Sequence, residues 1–447
     1  MKVVDELVSA RWVMPVVPRN TVFENYTIAI QDQKILDILP TKCAMKKYRA
    51  FKAAHLNDHV LMPGLINTHT HTPMVLFRGL AGELPLMKWL REYIWPAENT
   101  LICPKTVVVA SRLAIAEMIR SGTTCFNDMY FYPLSTAEAV IQSGIRASIG
   151  FHILNVPFQD FKNEDDYLEK AVTFYQTRPD SDLLTWAIMP HASYTNSNSS
   201  LRRAAILAKE LNLRIHTHAH ETTHEINIDL KKYNKRPLVR LNDAGLLTDR
   251  TLLAHMVHLN EEDINLVCEK NTYITSCPAS NMKLGSGFPG ISKLMDKGIT
   301  VSLGTDGAAS NDNLDMFREM YLAALVAKGK HQNPTLFTSY EAIEAATING
   351  ARALGLSHRI GSLEKCKDAD MIAIDLAHPQ TSPVYNPIPL MVYAVNGMQV
   401  SDVWVKGQKL LTKTVLQTID FDKTIADITQ LKNKVFAHDL HQKKKNN

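Results

Sequence analysis

The architecture that we predict begins with one stretch, Leu61-Met62-Pro63-Gly64-Leu65-Ile66-Asn67-Thr68-His69-Thr70-His71. Its apolar first half is typical of a buried strand, and two histidines stand at its end. Because side chains alternate between the two faces of a strand, His69 and His71 point the same way. Two imidazoles side by side can bind one metal ion. An isolated pair of this spacing is also an ordinary surface feature, so the rest of the chain must decide.

Further apolar, β-branched runs follow, separated by helical patterns. They lie at 123–128, 146–153, 184–191, 213–218, 251–258, 271–277 and 299–306. A representative helix is expected over Pro104–Ser121, with proline at its start and Gly122 after its end. Eight strands alternating with helices over roughly 250 residues predict an α/β chain with a (β/α)8 TIM-type barrel. A doubly wound open sheet is the alternative, but no GxGxxG follows the first strand.

Both ends of the chain have β patterns. Residues 26–39 predict a hairpin, and no helix of any length is expected within 1–58. Residues 368–375 predict a strand, and 403–411 predict a second hairpin. We therefore expect a barrel at 59–357 and a small composite β-sandwich built from 1–58 and 358–415. Residues 416–447 should form a C-terminal helix (421–440) and a solvated basic tail.

The composition of the chain limits its function. The 447 residues are 45% apolar and 21% charged, with a net charge of +4, which is typical of a globular protein without a nucleic-acid or membrane partner. The six cysteines form no CxxC pair, which favours reduced thiols and a cytoplasmic protein. We read no signal peptide and no apolar run long enough to span a membrane.

Metal-binding and acid–base residues stand at the ends of the predicted strands. Because all strands of a (β/α)8 barrel end at one rim, these side chains should meet there. They are His69, His71, His191, His216, His218, His220, Glu221, His255, His258 and Asp306. Each has a structural alternative: a hydrogen-bonded barrel histidine, a turn aspartate, or an acid in the first turn of a helix. Spacing alone does not say which of His216, His218 and His220 binds metal.

Six segments together resemble the amidohydrolase superfamily, in particular its 5-methylthioadenosine/S-adenosylhomocysteine deaminase family. They are residues 62–71, 76–80, 216–221, 254–259, 277–284 and 304–311, and with the flanking β modules the resemblance covers nearly the whole chain. It implies hydrolytic removal of the 6-amino group of an adenosine-type nucleoside. We expect 5′-methylthioadenosine as substrate, giving methylthioinosine and ammonia, with S-adenosylhomocysteine as a further substrate.

The resemblance also implies a role for each residue. One divalent ion, expected to be Zn²⁺, would bind His69, His71, His218 and Asp306. Fe²⁺ and Mn²⁺ are also allowed by the ligand types. The fourth strand contains no lysine for a bridging carbamate, which supports a single ion.

The catalytic residues that the family implies are Glu221 as proton shuttle, His255 facing the attacking water, and Asp306 as base. A divalent ion lowers the pKa of bound water from about 15.7 to about 7. General acid–base help of this kind contributes about 10²–10⁴ in rate.

The family also implies which residues bind the substrate. Trp89 would flank the ligand, Glu98 would accept the ribose hydroxyls, and His191 would contact the base. Glu221 and Asp306 would also contact the substrate. Some members carry an arginine at the end of the third strand for the homocysteine carboxylate. Here that place holds Phe151, which favours the uncharged methylthio group.

Other functions fit parts of the pattern. A guanine, cytosine or s-triazine hydrolase of the same superfamily would not need Glu98, since its substrates have no ribose. A catalytically inactive scaffold would be expected to have lost ligands, whereas all four are present. Besides the nucleoside and water, we expect the partner to be a second copy of the chain in a homo-oligomer.

Overall fold

The computed structural model describes residues 1–80 and 82–432. The strands are β1 Lys2–Val13, β2 Phe23–Gln31, β3 Lys34–Pro40, β4 Tyr48–Pro63, β5 Leu65–Thr70, β6 Thr123–Asp128, β7 Arg146–Ile153, β8 Leu184–Pro190, β9 Arg214–Ala219, β10 Thr251–His255, β11 Tyr273–Ser276, β12 Val301–Leu303, β13 Met371–Asp375, β14 Val400–Val405, β15 Gln408–Thr412 and β16 Val415–Leu416. The helices are α1 Thr41–Lys47, α2 Leu86–Trp89, α3 Trp95–Leu101, α4 Pro104–Arg120, α5 Pro133–Ser143, α6 Glu164–Thr177, α7 Asn198–Glu210, α8 Thr223–Tyr233, α9 Pro237–Asp243, α10 Glu261–Lys270, α11 Pro278–Lys283, α12 Ile291–Asp296, α13 Ala308–Asn311, α14 Met316–His331, α15 Ser339–Ala345, α16 Ile348–Ala353 and α17 Pro387–Tyr393.

The expected barrel is confirmed. Strands β5 to β12 form a parallel sheet in chain order, and each predicted run corresponds to one of them. The ring closes where β12 meets β5: the backbone N–H of Asp306 donates to the carbonyl of His69 at 2.9 Å, and Thr68 Oγ1 donates to the carbonyl of Leu303 at 2.7 Å. The carboxyl ends of all eight strands therefore lie at one rim.

Helix α4 shows how local sequence positions these elements. Pro104 occupies its first turn, where a missing N–H costs nothing. Thr106 Oγ1 accepts the backbone N–H of Cys103 at 2.8 Å, and Gly122 follows the helix at φ +85°. The helix buries one apolar face, including Val107, against the barrel.

Strands from both chain ends form the separate β domain that the sequence predicts. They hydrogen-bond in the order β16-β15-β14-β13-β4-β1-β2-β3. Antiparallel pairing of β4 with β13, for example Leu61 with Ala373, joins the two ends of the chain. The expectation of no helix within 1–58 is wrong, because the seven-residue α1 connects β3 to β4.

The opening stretch of the sequence divides between the two sheets. Leu61, Met62 and Pro63 complete β4 in the β domain, whereas β5 of the barrel starts at Leu65. The expected boundary at 58/59 therefore cuts through β4. Gly64 lies at the transition, where a Cβ atom would overlap the side chain of Thr124.

A buried ion-pair network joins the two domains. Arg146, at the start of β7, is 1% exposed. Its guanidinium lies 3.0 Å from Asp368 and 3.0 Å from Asp370, both close to β13. Arg359 binds Asp368 as well, at 2.7 Å. These ion pairs therefore connect the start of a barrel strand to the segment that leads into β13.

Within the described residues, no helix is both long enough and apolar enough to cross a bilayer. Residues 421–432 are helical. The remainder of the expected C-terminal helix and the basic tail lie outside the described residues.

Candidate active site

Four imidazoles and one carboxylate meet at the rim where the barrel strands end. The Nε2 atoms of His69 and His71 lie 3.4 and 3.2 Å from Asp306 Oδ1, and His218 Nε2 lies 3.3 Å from His71 Nε2. Two overlapping triads have ligand atoms mutually within 4.8 Å: His69, His218 and His255, and His69, His71 and Asp306. His69 Nε2 is buried and has no hydrogen-bond partner. Imidazole nitrogens and a carboxylate oxygen suit Zn²⁺, Fe²⁺ or Mn²⁺, so the residues present fit a metal ion.

Hydrogen bonds at Nδ1 orient the imidazoles of this cluster. His71 Nδ1 donates to the carbonyl of Met129 at 2.6 Å, and His218 Nδ1 donates to the carbonyl of His191, also at 2.6 Å. His69 Nδ1 lies 2.8 Å from His216 Nε2. Outer hydrogen bonds of this kind fix the tautomer of metal-binding histidines. In each of these three imidazoles, Nε2 is directed to the centre of the cluster.

The structure distinguishes the three histidines around β9. His218 belongs to the cluster. His216 is buried beneath it, with Nδ1 on the carbonyl of Leu252 at 3.0 Å. His220 turns away from it and contacts the carbonyl of His258 through Nδ1 at 3.0 Å. Of these three histidines, only the middle one contributes a ligand atom to the cluster.

Asp306 presents its two oxygens to different partners. Oδ2 accepts hydrogen bonds from Ser280 Oγ at 2.6 Å and Ser310 Oγ at 2.9 Å, leaving Oδ1 toward the histidines. Burial alone would raise the pKa of Asp306, but the imidazoles of His69 and His71 beside it outweigh burial and hold the pKa well below its usual value. The carboxylate is therefore ionised. Neither serine was identified from the sequence, since both lie beyond the strand ends.

Glu221 and His255 face each other across the cavity above the cluster. Glu221 Oε2 lies 4.0 Å from His255 Nε2, and burial raises the pKa of Glu221. His255 Nδ1 donates to Asn281 Oδ1 at 2.8 Å. Glu225, another residue missed by sequence reasoning, accepts the backbone N–H of Glu221 at 2.9 Å and so fixes the turn that carries it. A raised pKa favours the protonated carboxyl, which is the form that can donate a proton to a substrate.

The cavity above the cluster brings together three further expected residues. Trp89, Glu98 and His191 all line it. Trp89 Nε1 donates to the carbonyl of Leu80 at 3.1 Å, which anchors the segment that covers the cavity. Glu98 is 5% exposed and accepts the hydroxyl of Tyr130 at 2.7 Å. Burial raises the pKa of Glu98 to about 7.

Phe151 does not line this cavity, contrary to the expectation. Its ring stacks on Trp186 at 5.2 Å and meets Tyr175 of α6 edge-on, so it faces the surrounding helices. Because side chains alternate along β7, the next residue faces inward, and His152 lines the cavity instead. The expected contact is therefore one residue away from where the sequence placed it.

The sequence pattern of the amidohydrolase family matches residues 60–410. The chain belongs to the amidohydrolase family. This amidohydrolase is 44% identical over 416 residues to a 5-methylthioadenosine/S-adenosylhomocysteine deaminase of Saccharophagus degradans, covering 93% of each chain. It is 41% identical over 367 residues to a 5′-deoxyadenosine deaminase of Methanococcus maripaludis, covering 81% of this chain and 86% of the relative.

Solved structures extend these similarities. An adenosine deaminase from Xanthomonas campestris with bound zinc has a TM-score of 0.96 and 38% identity, covering 98% of this chain and 99% of the other. A triazine hydrolase variant has a TM-score of 0.88 at 23% identity, over 96% and 99% of the two chains. The second likeness shows the fold alone, whereas the first extends to the sequence of the whole amidohydrolase.

Proposed function

We propose that this amidohydrolase is a metal-dependent deaminase of adenosine-type nucleosides with an uncharged 5′ substituent, with 5′-methylthioadenosine as its preferred substrate. Water replaces the 6-amino group, giving the inosine analogue and ammonia. The observation that carries the proposal is the meeting, in one cavity, of an imidazole–carboxylate cluster and the buried carboxylate of Glu98. The names of the similar deaminases support the same reaction.

We assign one divalent ion, Zn²⁺, to His69, His71, His218 and Asp306. The assignment rests on the free, buried Nε2 of His69 and on the inward direction of Nε2 in all three rings. His255 also lies within the wider cluster, but its Nδ1 is bound to Asn281 and its Nε2 faces Glu221. We therefore give His255 a role at the substrate. When bound, the ion would act as a Lewis acid that makes a nucleophile available near neutral pH.

The acid–base groups divide the proton transfers between them. Ionised Asp306 takes a proton from the attacking water. Glu221, whose pKa burial raises, donates its proton to the ring nitrogen next to the carbon that bears the amino group. It then takes up the hydroxyl proton of the tetrahedral intermediate and passes it to the amino group, which departs as ammonia. The proton on Asp306 returns to Glu221 before the next turnover. His255 orients the water and stabilises the charge that develops, because Asn281 holds its Nδ1–H.

Glu98 supplies the recognition of a nucleoside. Two carboxylate oxygens match the two hydroxyl donors of a ribose diol. The Tyr130 hydroxyl already donates to Oε1, which fixes the carboxylate in place. Trp89 closes one side of the cavity and His191 contacts the base.

The lack of cationic residues in the described lining of the cavity favours a substrate with an uncharged 5′ substituent. Of the described residues that line it, none is arginine or lysine. Arg91 and Lys232 lie in an adjoining groove that shares Trp95 and Tyr194 with the cavity, so a homocysteine carboxylate would have to extend past these rings to reach a cation. We therefore expect S-adenosylhomocysteine to react more slowly than 5′-methylthioadenosine.

Ammonia release from metal-loaded protein tests the proposal. The panel is 5′-methylthioadenosine, S-adenosylhomocysteine, adenosine, 5′-deoxyadenosine, adenine and guanine, and the Glu221→Gln variant is the control for contaminating activity. We expect turnover of the nucleosides, a higher kcat/KM for 5′-methylthioadenosine than for S-adenosylhomocysteine, and no turnover of the free bases. Turnover confined to guanine would reject the proposal, and equal turnover of the two thionucleosides would reject the 5′ preference.

A further inference from the structure

Thr195 carries a buried hydroxyl group that contacts the imidazole assigned to the base. It ends the short 3₁₀ helix Ser193–Thr195, which follows β8, and is 8% exposed. Its Oγ1 lies 3.0 Å from Nδ1 of His191. In an imidazole, the hydrogen bond at one ring nitrogen decides which nitrogen carries the proton. Thr195 therefore governs whether His191 offers a donor or an acceptor at Nε2.

The Nε2 atom of His191 is available to a bound molecule. His191 lines the active-site cavity and is partly exposed. Within the described residues its Nε2 makes no hydrogen bond, and it is not enclosed by protein as the two ring nitrogens of His152 are. The main chain fixes the position of the ring, because the N–H of His191 donates to the carbonyl of Ile153 at 2.8 Å and its carbonyl accepts His218 Nδ1 at 2.6 Å.

Two arrangements of protons satisfy the groups around Thr195. The hydroxyl lies 3.2 Å from the carbonyl of Ala192, which also accepts Asn196 Nδ2 at 3.0 Å. If the hydroxyl donates to this carbonyl, Nδ1–H of His191 donates to Oγ1 and Nε2 has no proton. If it donates to Nδ1 instead, Asn196 still pairs the carbonyl, and Nε2 carries the ring proton. The protein alone permits both, so the ligand decides between them.

The chemistry of adenine selects the second arrangement. Its ring nitrogens are hydrogen-bond acceptors, and its donor is the 6-amino group. An acceptor at Nε2 of His191 could contact only the amino group, which departs in the reaction. A donor at Nε2 can hold a ring nitrogen of substrate and product alike. Because Glu221 protonates the ring nitrogen next to the amino carbon, the nitrogen left for His191 is N3 or N7.

We infer that Thr195 is a positioning residue for base recognition. Its hydroxyl donates to Nδ1 of His191 and so makes Nε2 an N–H donor to N3 or N7 of the purine. The inference rests on the proposed function and adds a residue that acts on the substrate only through His191. Thr195 thereby matches a neutral imidazole to the acceptor edge of the base.

A matched pair of variants separates the hydroxyl from the shape of the side chain. Thr195→Val has nearly the same shape and lacks the hydroxyl, whereas Thr195→Ser retains it. For 5′-methylthioadenosine we expect kcat/KM to fall by about tenfold in Thr195→Val and to stay within about threefold of the parent in Thr195→Ser, since one hydrogen bond is weakened in the first and none in the second. The loss should appear mainly in KM, because the metal ligands and acid–base groups are unchanged.

Two analogues of adenosine locate the nitrogen that His191 contacts. 7-Deazaadenosine and 3-deazaadenosine carry C–H in place of N7 and N3, and their inhibition constants measure binding to the metal-loaded protein. For the analogue that lacks the contacted nitrogen, the inhibition constant should differ by less than about threefold between Thr195→Val and the parent, because hydroxyl and nitrogen act through the same hydrogen bond. For the other analogue, Thr195→Val should weaken inhibition by about tenfold.

Circular dichroism and metal analysis verify folding and metal content in each variant. Full activity in Thr195→Val, a loss in Thr195→Ser as large as in Thr195→Val, or equal weakening of both deaza analogues would overturn the inference. If Thr195→Val does not fold, Thr195→Cys replaces it in both experiments under the same criteria, because its S–H is a weak donor. Failure of the parent protein to deaminate any nucleoside would instead reject the proposed function.

Discussion

Replacing Glu98 by glutamine should stabilise the protein at neutral and alkaline pH. Burial raises the pKa of Glu98 from 4.5 to about 7, so ionising it in the folded state costs about 3 kcal/mol more than in the unfolded chain. This cost is absent below about pH 4.5, grows up to about pH 7 and is complete above it. Glutamine is never ionised and its oxygen still accepts the Tyr130 hydroxyl.

The same substitution should remove most nucleoside activity. A carboxylate that accepts two hydroxyl groups forms two charge-assisted hydrogen bonds, each worth about 1.5–3 kcal/mol. Glutamine retains one acceptor oxygen and turns an N–H₂ group toward a donor. The kcat/KM for 5′-methylthioadenosine should therefore fall by about 10²–10⁴. Inhibition of the enzyme by free adenine should stay within about threefold, because adenine has no diol.

Urea unfolding and steady-state kinetics measure the two effects. At pH 8 the variant should unfold at higher urea than the parent, and at pH 4 the two midpoints should coincide. In the parent, kcat/KM for the nucleoside should rise with pH through about 7, and this rise should be lost in Glu98→Gln. Equal weakening of nucleoside turnover and adenine inhibition would refute the assignment of Glu98 to the ribose. A variant less stable than the parent at pH 8 would refute the electrostatic reasoning.

Three further predictions concern the support of His255, the metal ion and the ion-pair network between the two domains. Asn281→Ala removes the 2.8 Å hydrogen bond to His255, so kcat should fall by about 10–100-fold with little change in KM; a change confined to KM would contradict this. Dialysis against a chelator should abolish ammonia release and lower the Tm, and added Zn²⁺ should restore the activity and the Tm. Full turnover by protein shown to be metal-free would reject the metal assignment. Arg146→Met leaves Asp370 buried without its cationic partner, whereas Asp368 keeps Arg359, and should destabilise the protein by about 3–5 kcal/mol in urea unfolding. Asp370→Asn in the same chain should recover part of the loss, and an unchanged midpoint would show that the network contributes nothing.

The strand-end pattern was enough to predict which parts of the chain meet at the rim. Parallel strands that close into a barrel all end on one side, so His69, His71, His218 and Asp306 could be brought together from the sequence alone. The choice of His218 over its neighbours required the family resemblance. In the structure it follows from backbone carbonyls that hold His216 and His220 elsewhere, and carbonyl positions are not encoded in spacing.

Two differences from the sequence expectations have separate physical origins, one in strand register and one in burial. A shift of one residue exchanges the faces of a strand, and this is the distance between Phe151 and His152. The apolar run from Leu61 onward looks continuous because it is buried in both sheets, so hydrophobicity gives no sign of the change at Gly64. The contribution of Ser280 and Asn281 could not be predicted either, since it depends on how the turn after β11 folds back over the cluster.

The pairing of β4 with β13 sets an order on biosynthesis. Strands β1 to β4 leave the ribosome some 300 residues before β13 does. Until β13 has been synthesised, the edge of β4 that later pairs with it, from His59 to Pro63, lacks this hydrogen-bond partner. An open edge of this kind is a template for wrong pairing. During translation the nascent chain must therefore protect the segment that leads directly into the first two histidines. Mutations that slow synthesis of the barrel should lower the yield of folded protein before they lower the activity of each folded molecule.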